Sequence, residues 1–269
     1  REKMSSKEED AQKMDLEHAV QLCIELAYKA GDLAESYLIA NRKDRSLEIE
    51  IKKDDSPVTE ADKAVNTYLL QALKKFFPDC LCYGEESVDA IDKDTVFGQG
   101  YEFWVDPIDG TKSFIKDSGM WSVLIGLNFE GCPVMGVIYH FAKDNMYYAI
   151  QGKGAFKISG RESKKPQQIH CNKSRNISES IAVMSDSRKL SKKYTQLLAD
   201  LSITKKFNHG SYGCKAALIA EGKADFYIND SKTPSIWDVV ASQIVLAEAG
   251  ATLVKEDGTT LVFSGKRSA

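Results

Sequence analysis

The stretch Tyr101-Glu102-Phe103-Trp104-Val105-Asp106-Pro107-Ile108-Asp109-Gly110-Thr111 decides how the chain is read. Its opening residues are mostly aromatic and apolar, as in a buried strand, so Asp106 is expected to leave that strand's C-terminal end. Pro107 fixes φ and withholds a donor, and Gly110 admits backbone angles that a Cβ would obstruct, which makes a tight turn carrying two acids. Carboxylates three residues apart across such a turn can point into one pocket. Their repulsion is relieved by a divalent cation, and Mg²⁺ suits hard oxygen ligands. The N–H groups of Gly110, Thr111 and Lys112, if they open a helical turn, add an anion site beside the metal. Metal and anion together point to phosphate chemistry. Two other readings fit the letters alone: a plain acidic turn, and the Asp-x-Asp-Gly-Thr motif of phosphatases that form an aspartyl phosphate. The latter has one residue between its acids and opens its chain; here Pro107 and Ile108 intervene, well inside the sequence.

With 269 residues the chain can bury a large core, as one domain or two closely joined ones. Hydrophobic residues at 43% and charged residues at 28% are ordinary for a globular protein, and no apolar run approaches membrane-spanning length, so no membrane partner is expected. A net charge of −3 offers nucleic acid no general attraction, so a phosphate-bearing ligand must be small and held by local groups. The six cysteines lack paired metal-site spacing and the charged start precedes no signal-like apolar segment, so reduced thiols and a cytoplasmic location are expected. Cys80 and Cys82 are read as core. The four histidines, His18, His140, His170 and His209, are far apart, and each is read as a surface or satisfied core residue rather than a zinc ligand.

Residues 1–14 are polar without apolar periodicity and read as a disordered tail. From Leu16 to Tyr37 apolar residues recur at three- and four-residue steps, predicting a long amphipathic helix. Ser56-Pro57-Val58-Thr59-Glu60-Ala61-Asp62 runs into a second helix, with Thr59 as N-cap and Asp62 as its capping-box partner. Leu81-Cys82-Tyr83 reads as a strand ending at Gly84, with Glu85 and Glu86 just beyond, where open α/β sites collect ligands. Residues 122–158 read as an antiparallel meander. The polar, basic stretch near 160–173 suggests a boundary between an α+β half, 15–165, and an α/β half, 166–269. That second half alternates strand and helix: strands at Ser180–Ser185, Phe207, Ala224–Ile228 and Ala251–Val254, helices at Ser191–Leu201, Lys215–Glu221 and Ile236–Ala249. Asp238 falls in the last helix's first turn, where the helix dipole alone favours an acid.

Gly84-Glu85-Glu86, Asp106 through Thr111 and Trp237-Asp238, preceded by Ser56 through Asp62, resemble the Mg²⁺-dependent, lithium-sensitive phosphatases of the inositol monophosphatase superfamily. The resemblance spans about Asp15 to Val262. Asp109-Gly110-Thr111-Lys112-Ser113-Phe114 is similar to the 3′(2′),5′-bisphosphate nucleotidase branch, whereas the inositol monophosphatase branch typically has Asp-Gly-Thr-Thr-Asn-Phe. Gly210-Ser211 through Lys215 and Ala220 through Asp225 resemble the same branch, although Tyr212-Gly213-Cys214 stands where relatives often have Ser and Leu.

The resemblance implies an α+β fold, the layered α/β/α/β/α sandwich of the inositol monophosphatase and fructose-1,6-bisphosphatase type. It implies metal ligation by Glu85, Asp106, the Ile108 carbonyl, Asp109 and Asp238, with about two or three Mg²⁺ ions per site. Asp62 and Thr111 would orient or deprotonate the attacking water, Gly110 and Thr111 would hold the phosphate, and Lys112, Ser211 and Lys215 would contact substrate. The expected activity is hydrolysis of the 3′-phosphate of adenosine 3′,5′-bisphosphate to AMP and phosphate, with the 5′-phosphosulfate analogue as a further substrate. The alternatives are an inositol monophosphatase or inositol polyphosphate 1-phosphatase, and a metal-binding regulator without turnover. The expected partner is a small phosphorylated molecule, and a monomer is favoured.

Overall fold

Asp15 opens the first helix: its carboxylate accepts the N–H groups of Glu17 and His18, both at 3.0 Å, capping α1 (Leu16–Asp44). The expected apolar stripe, including Ala19, Cys23, Ala27, Ala30 and Ala34, faces the core. There follow β1 (Ile49–Ile51), β2 (Pro57–Thr59), α2 (Glu60–Phe76), β3 (Leu81–Gly84), β4 (Val96–Phe97), β5 (Tyr101–Asp109), α3 (Thr111–Ile115), β6 (Ser122–Phe129), β7 (Cys132–His140), β8 (Asn145–Ile150), β9 (Gly154–Ser159) and β10 (Gln167–Ile169). The remainder is β11 (Ala182–Ser185), α4 (Lys192–Asp200), β12 (Lys206–His209), α5 (Tyr212–Ala220), α6 (Ile236–Glu248) and β13 (Gly265–Lys266). This computed structural model describes residues 14–92, 94–163, 165–173, 176–230, 234–262 and 265–266. Residues 1–13 of the expected tail lie outside them.

Seven strands form one sheet in the order β10-β9-β8-β7-β6-β5-β3, antiparallel throughout except that β3 runs parallel to β5. The helices α1 and α2 bury one face of it around Phe103, Val105, Val123 and Ile125. On the other face α5 and α6 close a second core with Leu124, Ile138, Tyr147 and Ala149. Beyond α5 lies the parallel pair β11–β12, and α4 buries Leu198. Helix, sheet, helix and a second sheet thus succeed one another, in keeping with the layered fold that the sequence implied. The strand β10 lies past residue 165 yet pairs with β9 of the first half.

Five expectations change. The strand β5 does not end at Asp106 but runs through Asp109: Asp106 pairs with Leu124 and Asp109 with Ser122, and the register slips between them, where Pro107 has no N–H to give. The expected strand at Ala224–Ile228 is a single bridge from Phe226 to Ala182, and that at Ala251–Val254 a single bridge from Val254 to Thr260. The helix expected from Lys215 begins at Tyr212, capped by Ser211. Cys80 and Cys82 are half-buried rather than wholly core.

The seat of α6 is set by two glycines that face each other across β6 and β7, Gly126 and Gly136. A Cβ on Gly126 would stand 2.5 Å from Val240 Cγ1 and 2.7 Å from the Ala241 nitrogen; one on Gly136 would stand 2.6 Å from the Ala241 oxygen. Only bare backbone lets α6 lie this low, and its height fixes where Asp238 arrives. Gly136→Ala is expected to cost about 1–3 kcal/mol of stability through overpacking and to lower activity through displacement of Asp238. A wild-type urea midpoint together with wild-type turnover would refute this seating role.

Candidate active site

The slipped end of β5 carries Asp106 and Asp109 toward Asp238 in the first turn of α6, and one carboxylate oxygen of each lies within 4.8 Å of the others. Asp106 is buried and receives the Ile108 N–H at 3.0 Å; burial first, then the charges of Glu85, Asp109 and Asp238, hold its pKa well above the carboxylate range. Burial and the charge of Asp109 push Asp238 to about 8. Three carboxylates this close could hold a hard divalent cation, which would relieve their repulsion.

Asp109 is also a structural hub. Its Oδ2 accepts the hydroxyls of Ser211 (2.5 Å) and Ser122 (3.1 Å) and the N–H of Gly213 (2.7 Å), while Oδ1 accepts the N–H of Tyr212 (2.8 Å). The start of α5 is therefore moored to the acid turn. Ser211 is fully buried and its hydroxyl is committed to Asp109, so the structure places it behind that carboxylate rather than in contact with a ligand. Gly110 has φ 97°, the left-handed region, and a Cβ there would stand 3.0 Å from the Met120 oxygen.

Asp62 serves two partners. Its Oδ2 accepts the Thr59 N–H (2.8 Å) and hydroxyl (2.5 Å), which is the expected capping box, while Oδ1 accepts the Thr111 hydroxyl at 3.1 Å. Thr111 also approaches the Ile108 carbonyl at 3.2 Å. Burial raises the pKa of Asp62 to about 6, against the bonds from Thr59 that lower it. Asp62 is thus an ionised, buried acceptor at neutral pH.

Beyond β3, Glu85 and Glu86 both bind the Lys52 ammonium at 2.7 Å. Burial, then the charge of Glu85, raises Glu86 to about 7. Burial opposes the charge on Lys52, but Glu85 and Glu86 together raise its pKa. The sequence placed Glu85 at a strand end; this lysine partner carried no signal.

Asp109 and Asp238 form one wall of a cleft of 530 Å³ that continues past Tyr212, Tyr227, Lys215 and Arg188. Lys215, 3% exposed, donates to the carbonyls of Ser211 (2.8 Å) and His209 (3.4 Å) and lies 4.8 Å from the Tyr227 ring centroid. Burial lowers its pKa. Lys112 is exposed on α3 and is not among the residues lining this cleft. Arg188, in the polar run Ser185-Asp186-Ser187-Arg188, was not anticipated, because nothing in its spacing distinguishes it from a solvated loop residue. The described residues include no helix long and apolar enough to cross a membrane.

The sequence profile of the Inositol monophosphatase family matches residues 15–268. The chain belongs to that family. Among curated relatives, the 3′(2′),5′-bisphosphate nucleotidase CysQ of Salmonella typhimurium is 36% identical over 250 residues, 92% of this chain and 94% of the relative. The histidinol-phosphatase of Chlorobaculum parvum is 31% identical over 248 residues, 92% of this chain and 89% of that one. Among solved structures, the Thermotoga maritima IMPase superposes with a TM-score of 0.75 at 22% identity, covering 93% of this chain and 92% of that one, a likeness of fold. The inositol monophosphatase fold implied by the sequence is the fold of the protein.

Proposed function

We propose that this phosphatase removes the 3′-phosphate of adenosine 3′,5′-bisphosphate, giving AMP and phosphate, and acts on the 5′-phosphosulfate analogue as well. The observation that carries this reading is the pair of cations, Lys215 and Arg188, in the same cleft as Asp109 and Asp238. A second phosphate brings roughly two extra negative charges. The neutral hydroxyls of an inositol monophosphate give those cations nothing comparable, and the ammonium of histidinol phosphate would be repelled. Tyr212 and Tyr227 add ring faces for a base. The curated relatives named as 3′(2′),5′-bisphosphate nucleotidases support the same substrate class.

Mg²⁺ fits the clustered acids Asp106, Asp109 and Asp238, which with the Ile108 carbonyl and, on leaving Lys52, Glu85 would hold it; when bound it would supply charge neutralisation for the phosphate and the departing alkoxide. The protein's own groups orient and deprotonate. Thr111, held by Asp62, accepts a proton from the attacking water while its own hydroxyl proton passes to Asp62 Oδ1. The amides of Gly110 and Thr111 steady the phosphate oxygens. The phosphorus–O3′ bond breaks as the water oxygen bonds to phosphorus, and the alkoxide takes a proton from solvent. The contact between Asp62 and Thr111 is intact, which argues against a regulator without turnover.

Phosphate release from adenosine 3′,5′-bisphosphate, adenosine 3′-monophosphate, inositol 1-phosphate and histidinol phosphate, each with Mg²⁺, tests the assignment. The bisphosphate is expected to have the highest kcat/KM; a preference for either of the last two would replace it. Lys215→Met, which keeps the apolar stem, is expected to raise KM for the bisphosphate by about ten-fold or more, the scale of one charge-assisted contact, with little effect on the monophosphate. Equal losses on both substrates would assign Lys215 to the reacting phosphate or to the fold.

Metal removal has a pH signature. A carboxyl whose pKa is higher in the folded state supports the fold below its unfolded value of about 4 and loses that support as pH rises through its folded value. With Asp238 at about 8, the metal-free protein weakens progressively up to that pH. Mg²⁺ relieves the repulsion, so the Tm gained over an EDTA control should be larger near about pH 8 than near about pH 5.5. An equal or smaller gain at the higher pH would remove these acids as the site of stabilisation.

A further inference from the structure

Two histidines read from the sequence as unrelated meet behind the active site. His140, at the end of β7, and His209, at the end of β12, are buried with their rings edge to face at 5.2 Å. Cys214 of α5 joins them, and one ligating atom from each of the three lies within 4.8 Å of the others. The hydrogen bonds set the tautomers. His140 Nε2 donates to the Gly119 carbonyl at 3.0 Å, which leaves a lone pair on Nδ1, and His209 Nδ1 accepts the Ser211 N–H at a long 3.3 Å.

We propose that His140, His209 and Cys214 form a buried binding site for a soft monovalent cation, Cu(I), separate from the carboxylate site. Two imidazoles and a thiolate are soft or borderline donors that select Cu(I) or Zn²⁺ and reject Mg²⁺. Charge decides between the first two. One thiolate makes Cu(I) neutral, whereas Zn²⁺ would leave a net positive charge, buried, beside the Lys215 ammonium that donates to the His209 carbonyl. Three ligands also satisfy Cu(I), while structural Zn²⁺ takes four. Burial pushes the Cys214 thiol up to about 12, so its proton leaves only when a thiophilic metal displaces it to solvent.

The site reaches the acids through Ser211. The Cys214 N–H donates to Ser211 Oγ at 2.9 Å, and that hydroxyl donates to Asp109. A metal ion that draws in His209 Nδ1 and Cys214 competes for the Ser211 amide and shifts the hub around Asp109. Occupancy therefore inhibits. The binding itself does not depend on which phosphate ester is the substrate.

Anaerobic titration of the full chain with Cu(I) against a chromophoric Cu(I) chelator tests the site. One equivalent is expected to bind tightly, with X-ray absorption showing two nitrogens and one sulfur around copper. Cys214→Ala and His140→Gln, each checked for a native circular dichroism melt, should weaken that equivalent by about ten-fold or more, and removal of the exposed thiol in Cys132→Ser should not. Turnover of the Mg²⁺-loaded enzyme should fall as that equivalent fills and return on adding the chelator, and Cys214→Ala should resist. A sulfur-only shell, or copper binding unchanged in both site variants, would overturn the site; tighter Zn²⁺ binding there would overturn the charge assignment, and binding without inhibition would overturn the link through Ser211.

Discussion

Asp106→Asn is expected to lower kcat by about 10³-fold or more while leaving a metal-free protein at least as stable as its parent. The substitution keeps an acceptor for the Ile108 N–H and removes a carboxyl that burial, and then the charges of Glu85, Asp109 and Asp238, hold well above the carboxylate range. Asp109→Asn should lose as much turnover but behave differently as a protein. Both oxygens of Asp109 accept, four donors in all from Ser122, Ser211, Tyr212 and Gly213, and an amide would turn its NH₂ against some of them. A buried donor left facing donors costs about 1–3 kcal/mol, so Asp109→Asn should melt lower with or without Mg²⁺. Paired measurements of kcat and of Tm in EDTA separate the two. If Asp106→Asn retained near-parental turnover the metal reading would fail, and if both variants melted alike the hub role of Asp109 would.

The contrast shows where sequence reading reaches and where it stops. Asp106, Asp109 and the cap of α2 were legible because each rests on local rules: strand composition, Pro and Gly in a turn, and a Thr three residues before an acid. The capping reading of Asp62 and its contact with Thr111 are both correct, because its two oxygens face different partners, and no one-dimensional pattern shows a carboxylate's second face. The mooring of Asp109 to Ser211 spans more than a hundred residues of chain, beyond any periodicity. The sequence suggests a helix starting at Lys215, but Gly213 already lies inside α5, where a Cβ would stand 2.3 Å from Leu124 Cδ2. That glycine answers to packing against the sheet, which spacing does not encode. Arg188 and the meeting of His140 with His209 depend wholly on how distant elements pack.

Thr111→Ala is expected to lower kcat by about 10²–10³-fold with KM changed less than about three-fold, and Thr111→Ser to recover most of the loss. The hydroxyl of Thr111 donates to Asp62 at 3.1 Å, and serine supplies the same hydroxyl without the methyl. Asp62→Asn is the less clean variant. Its Oδ2 also holds the Thr59 N–H and hydroxyl, so the amide disturbs the start of α2 and should lower Tm as well as kcat. If the two residues form one proton path, the double variant Asp62→Asn with Thr111→Ala should be little slower than the worse single variant. The parent's kcat should decline below about pH 6, where Asp62 takes up a proton and can no longer accept one through Thr111. In Thr111→Ala the path is already broken, so the residual rate should lose that acid limb. A Thr111→Ala enzyme that kept both most of its turnover and the same acid limb would show that water is activated without Thr111, and fully additive losses would show that Asp62 acts through the fold of α2 rather than through the hydroxyl it holds.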